Sequence, residues 1–240
     1  MVYDCWRGMV GIIKPTKGSG SLVELIKLLP EGIGVIPLFN NVRHGKIEEF
    51  RGAIPAYEEK IAELAQDKVD LIHPAGTPPF MLLGYQREAD LIAKWENRFG
   101  IPIFTSGTNQ IAAMKALGIR KFVGIGYDFD DTTILARYFT DAGFRVLSLE
   151  KLPGPWEEVG RLSSKDIYDQ AKNLFLRHSD ADGIYFQGGK LRILDIIEPL
   201  EQDLGVPVIH PGLAQCWEIQ KRLHVRQPIA GYGRLIAELP

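Results

Sequence analysis

The chemistry-bearing residues of this 240-residue chain gather in short turns that directly follow apolar stretches. Gly76-Thr77-Pro78-Pro79 comes after Asp70-Leu71-Ile72-His73-Pro74-Ala75. There a glycine permits close backbone approach to a ligand, a threonine hydroxyl can donate a hydrogen bond, and two prolines stiffen the loop. Gln187-Gly188-Gly189 comes after Asp182-Gly183-Ile184-Tyr185-Phe186. It offers an amide side chain and successive backbone N–H groups, the makings of an anion-holding concavity. Tyr127, after the apolar run 122–125, brings a phenol that either donates to an oxyanion or caps the core. The loop Lys14-Pro15-Thr16-Lys17-Gly18-Ser19-Gly20-Ser21 supplies hydroxyls and backbone donors near a helix start, so that carboxylate contact and a plain surface loop are both open for it. Its residue order is not that of a nucleotide-binding P-loop.

Of five histidines, His73 and His210 each end a strand. His73 reads as a satisfied structural residue, whereas His210, opening a strand-tip loop, suits proton transfer as well as it suits structure. The chain has no His-Glu-x-x-His spacing and no two-histidine-one-carboxylate set, and no metal site is expected. No Gly-x-Ser-x-Gly elbow is present either. Asp130 and Asp131, beside Thr132 and Thr133, read as a helix N-cap cluster. The chain's cysteines are Cys5 and Cys216, and neither sits in a glycine-bearing turn.

Positioning these turns requires alternating strands and helices. Strands are expected at 9–13, 34–38, 69–72, 102–104, 122–125, 145–149, 183–186 and 207–209. Helices are expected at 47–66, 87–99, 110–117, 132–142, 165–177, 191–204 and 213–223, with Gly118, Gly143 and Gly205 closing helix ends in the left-handed conformation. The alternation implies parallel strands with crossover helices. Phe99-Gly100-Ile101-Pro102-Ile103-Phe104 and Leu204-Gly205-Val206-Pro207-Val208-Ile209 are near-repeats, so the chain reads as internally duplicated. The expected fold is α/β, with two pseudo-symmetric parallel-sheet halves, 1–108 plus 211–240 and 109–210, and the active site in the cleft between them. Loops near 107–109 and 210–213 are expected to connect the halves, and 151–161 to be a Gly/Pro-rich loop.

Composition narrows the partner. Hydrophobic residues at 45% and charged residues at 24% describe an ordinary globular chain. A net charge of −2, a pI near 6.2 and the lack of a Lys/Arg block argue against nucleic acid and against a membrane surface. No apolar run is long enough to span a bilayer, and Asp4 and Arg7 interrupt the first residues, so a cytoplasmic protein with a small-molecule partner is expected.

In series, these motifs resemble the aspartate/glutamate racemase superfamily, most of all its arylmalonate decarboxylase branch and more distantly maleate isomerase. The likeness runs from Met9 to Ile236. It is carried by Gly76-Thr77, Gly100-Ile101-Pro102, Ala116-Leu117-Gly118-Ile119-Arg120-Lys121, Tyr127 with Asp130-Asp131, Ser179-Asp180-Ala181-Asp182-Gly183-Ile184, Gly188-Gly189, Leu204-Gly205-Val206-Pro207-Val208 and Gly231-Tyr232-Gly233-Arg234-Leu235. The resemblance implies a cofactor-free enzyme that holds a small carboxylate by the Thr77 hydroxyl, the Tyr127 phenol and N–H groups around Thr77 and Gly188, with Pro15, Gly76, Pro78 and Gly189 completing the binding surface. It also implies cysteines that this chain lacks: Gly76 stands at one position, as in the decarboxylase branch, and Gln187 stands at the other. An amide neither takes nor gives a proton at neutral pH, so two-thiol racemisation and cysteine-adduct isomerisation are excluded. Gln187, Lys190 and His210 are the candidate catalytic positions, with Lys190, His210 or a bound water standing in as proton donor. The expected activity is that of a decarboxylase-like lyase working through an enediolate; a non-cysteine isomerase and a non-catalytic carboxylate-binding protein are the alternatives.

Overall fold

The computed structural model describes residues 5–17, 20–127, 132–156 and 158–240. The first part of the chain forms β1 (Gly8–Lys14), α1 (Gly20–Leu28), β2 (Ile33–Phe39), α2 (Ile47–Arg51), α3 (Ile54–Gln66), β3 (Leu71–Pro74), α4 (Thr77–Met81), α5 (Tyr85–Phe99) and α6 (Ser106–Ala116). It continues with β4 (Lys121–Gly126), α7 (Thr132–Asp141), β5 (Arg145–Lys151), α8 (Ser164–Arg177), β6 (Gly183–Phe186), α9 (Leu194–Leu204), β7 (Val208–Ile209), α10 (Pro211–Arg222) and α11 (Arg234–Glu238). The expected Asp130–Asp131 cap lies outside the described residues.

Two parallel sheets result, one ordered β2-β1-β3 and the other β5-β4-β6-β7. A lone parallel bridge from Ile103 to Ile72 sits beside β3 where β7 sits beside β6, so both sheets follow one winding order. The α/β duplication read from the sequence is thus present in the topology. Apolar runs such as Val10, Ile12 and Ile13 are buried because parallel strands are covered on both faces.

Several elements differ from expectation for identifiable reasons. The helix expected at 47–66 breaks at Gly52-Ala53, since Pro55 in the first turn of α3 cannot continue a preceding helix. The strand expected at 102–104 is reduced to the Ile103 bridge, flanked by Ile72 N–H to the Pro102 carbonyl at 3.0 Å and Phe104 N–H to the Ile72 carbonyl at 3.2 Å. The connections expected as loops at 107–109 and 210–213 are helical: they lie within α6 and at the start of α10, and these two helices pack against each other. Part of the expected loop at 151–161 is a 3₁₀ turn at Val159–Arg161. Gly118, Gly143 and Gly205 do take positive φ past helix ends. One continuous apolar cluster spans both sheets, from Val10, Ile12 and Leu71 to Ile125, Tyr185 and Val208. A second packs Tyr57, Ile61 and Trp95 against Ile13, Ile72 and Ile103 of the first sheet.

Candidate active site

A cavity of about 350 Å³ opens where the carboxyl ends of the strands of both sheets meet. Pro15 reaches it after β1, Gly76, Thr77 and Pro78 after β3, Tyr127 after β4, Gln187, Gly188, Gly189 and Lys190 after β6, and His210 after β7. Strand tips in parallel sheets present backbone amides and short loops to a common space, which is why turns far apart in sequence converge there.

The wall after β3 is built around Gly76, whose φ of +109° suits glycine alone. A Cβ at this position would lie 3.0 Å from Pro15 Cγ and 3.2 Å from the Tyr57 hydroxyl. The Gly76 N–H donates to Ser106 Oγ at 2.9 Å, and His73 Nε2 lies 3.2 Å from the same oxygen. His73 is 1% exposed and stacks on Phe104 with centroids 4.4 Å apart. Burial, helped by the nearby Arg222 charge, pushes its pKa down to about 3, so the ring is neutral. Thr77 is also buried. Gln110 Nε2 donates to its Oγ1 at 3.3 Å, and the Tyr185 hydroxyl donates to Gln110 Oε1 at 2.7 Å. This chain of bonds ties α4 through α6 to β6, and so joins the two walls.

On the opposite wall Gly188 takes φ +107°, and a Cβ there would fall 1.9 Å from Tyr127 Cζ. The phenol therefore rests directly on the turn. The Lys190 N–H donates to the Tyr127 oxygen at 2.9 Å, a bond that uses a lone pair and not the phenol proton. Burial raises the Tyr127 pKa further above its ordinary value, partly opposed by that bond, so the group is a neutral donor. Gln187 is held by its N–H to the Ile125 carbonyl at 2.8 Å, yet its buried Oε1 has no hydrogen-bond partner. The Lys190 ammonium donates to the Trp156 carbonyl at 3.1 Å and lies 3.4 Å from the centre of the Trp156 ring, a cation–π seat.

His210 caps α10: its Nδ1 accepts from the Gly212 N–H at 3.2 Å, while Nε2 is buried without a partner. Burial lowers its pKa to about 4, although the Leu191 backbone favours the protonated form. At neutral pH it is a neutral imidazole, and because Nδ1 accepts the Gly212 N–H the ring proton sits on Nε2.

Sequence reading passed over Ser106 and Arg192 among the lining residues, and included Lys14, Trp156 and Arg161 only as members of the loops 14–21 and 151–161 without singling them out. Lys14 ends an otherwise apolar strand and is 7% exposed, with its Nζ donating to Ser21 Oγ. The available signal was a lysine as last residue of a buried strand, in the loop already quoted. Neither cysteine lines the cavity. Cys216 faces α1, its Sγ 3.3 Å from the Leu28 carbonyl, and burial pushes its thiol up to about 12. Among the described residues no three His, Cys, Asp or Glu side chains converge as a metal site, and no helix is long and apolar enough to cross a membrane.

Comparison with known proteins agrees with this architecture. The chain is 25% identical over 198 residues to arylmalonate decarboxylase of Bordetella bronchiseptica, covering 80% of this chain and 81% of the relative. It is 24% identical to maleate isomerase of Geobacillus stearothermophilus, covering 95% of this chain and 96% of that one. In structure it resembles the maleate isomerase Iso from Pseudomonas putida S16, with a TM-score of 0.87 at 21% identity over 97% of this chain and 99% of the other. The family model described as arylmalonate decarboxylase matches residues 31–236, most of the chain and every strand from β2 to β7. By that match the chain belongs to the arylmalonate decarboxylase family, within the aspartate/glutamate racemase-like superfamily of enzymes.

Proposed function

We propose that the protein is a cofactor-independent lyase that decarboxylates a small carboxylic or dicarboxylic acid through an enediolate. The observation that carries the reading is the convergence of Thr77 and Tyr127 from different sheets on one thiol-free cavity, each beside a positive-φ glycine turn. One substrate carboxylate sits among the Thr77 hydroxyl, the Tyr127 phenol and the backbone N–H groups near Thr77 and Gly188. The carbon–carbon bond to the second carboxylate breaks, carbon dioxide leaves, and the electron pair delocalises into the retained carboxylate as an enediolate. Donors aimed at that oxygen stabilise the charge as it develops. A proton then forms the new carbon–hydrogen bond. The site departs from a thiol mechanism: Gln187 supplies an amide where a titrating group is needed, so the proton comes from elsewhere in the cavity.

A second reading, a non-cysteine isomerase, draws support from His210. Its neutral ring lies at the cavity with a buried, unpartnered Nε2–H, and a shift of that proton to Nδ1, breaking the bond from the Gly212 N–H, frees the Nε2 lone pair to take a proton from a carbon beside a carboxylate. The test is incubation with malonate, methylmalonate, phenylmalonate and maleate in deuterated water. Carbon dioxide release from a malonate with deuterium in the product is expected. Conversion of maleate to its trans isomer without carbon dioxide favours the isomerase. Thermal stabilisation by these acids without any turnover overturns both readings and leaves a binding protein.

A further inference from the structure

Lys14 has no task in the reaction above, yet its setting is unusual for a lysine. It closes β1, is 7% exposed, and lines the cavity. Its Nζ donates to Ser21 Oγ, and Ser21 Cβ is 3.7 Å from where a Cβ on Gly189 would stand. The amine of the first sheet thus reaches toward the turn that follows β6. Two charges act on it, Glu24 from α1 and Arg192 from the loop before α9. Glu24 is already paired with Arg192 at 3.1 Å, and no carboxylate among the described residues stands within ion-pairing distance of Lys14.

A buried cation without a counter-ion is costly, and an incoming carboxylate relieves that cost. Burial first and the Arg192 charge second pull the Lys14 pKa down to about 8, with Glu24 opposing. An amine that titrates near neutrality suits proton transfer, because both of its forms are populated at working pH.

Resting on the lyase reading, we propose that Lys14 is the proton donor of this site. After carbon dioxide departs, an Nζ–H bond breaks as the enediolate carbon takes the proton and uses its electron pair to form the carbon–hydrogen bond. The neutral amine then recovers a proton from solvent by way of the Ser21 hydroxyl.

Two measurements test this on the intact chain. Trace acetylation by acetic anhydride from about pH 6 to about pH 11, read by peptide mass spectrometry, is expected to half-titrate Lys14 near pH 8 while surface lysines titrate roughly two units higher. Added malonate is expected to suppress that labelling. In kinetics, Lys14→Arg keeps the charge but holds its proton, so kcat falls about 100-fold with KM nearly unchanged, and the wild-type decline above about pH 8 disappears. Lys14→Met loses kcat and raises KM as well, and melting temperatures verify that both variants fold. Lys14→Arg with wild-type kcat and pH profile overturns the proposal, as does acetylation in the ordinary lysine range. If no malonate is turned over, the lyase reading fails on its own. Labelling then decides for Lys14: early titration with malonate protection retains it as a proton-carrying ligand contact, and ordinary titration removes it.

Discussion

Thr77 and Tyr127 are held by bonds that occupy their lone pairs, from Gln110 Nε2 and from the Lys190 N–H. Removing either hydroxyl deletes a donor and also takes the acceptor from the Gln110 Nε2 or the Lys190 N–H. Thr77→Ala and Tyr127→Phe are each expected to lower kcat/KM on the substrate acid by about 3 kcal/mol, roughly 100-fold, while both variants stay folded and Thr77→Ala melts lower because Gln110 Nε2 loses its acceptor. Wild-type kinetics in both variants would overturn their role. At this scale the sequence was informative where a residue's type and its place after a strand coincide, as for Gly76, Thr77, Gln187 and Gly188. It was less so for Ser106 and Lys14. Ser106 reaches the cavity from a helix, and Lys14 owes its character to burial beside Arg192. Both depend on packing across the two sheets, which a linear pattern does not show.

Between elements, the most consequential polar contact lies away from the cavity. Glu88 of α5 is fully buried and accepts from the hydroxyls of Thr105, which caps α6, and of Tyr138 on α7. Burial pushes its pKa up to about 7, and the two hydroxyl bonds pull the other way. Between about pH 4.5 and pH 7 the folded chain therefore holds a proton that the unfolded chain has released. This group's contribution to stability is full below that window and is lost as pH rises through it, by an amount of the order of 3 kcal/mol. Glu88→Gln is expected to remove this slope, so urea unfolding of wild type and variant at about pH 5 and about pH 7.5 should give a difference that changes with pH. A difference that stays constant would show that Glu88 does not titrate in the window. Element order was legible because apolar runs and glycine stops punctuate the chain. The α6 and α10 junctions were not, since Ser106-Gly107-Thr108-Asn109 reads as a turn until Thr105 caps it and its side chains are buried.

Across the whole molecule, both sheets share one apolar cluster, and α6 and α10 pack together where the chain crosses between them. Unfolding one sheet would expose apolar residues of the other that belong to the same cluster. A single calorimetric transition is expected, with calorimetric and van't Hoff enthalpies equal; two resolved transitions would mean that the halves are independent. The same arrangement gives the cavity a floor made of core side chains and a rim made of loops. On that rim sits Trp156, with the Lys190 ammonium on its face, while Trp95 and Trp217 are buried in the interior and Trp6 is 60% exposed. Indole emission responds to the charge and water around the ring, so this single lining tryptophan makes the protein its own optical sensor. A carboxylate entering the cavity is expected to shift the fluorescence of the wild type and to leave that of Trp156→Phe unchanged, which turns a library of unlabelled acids into a direct titration screen.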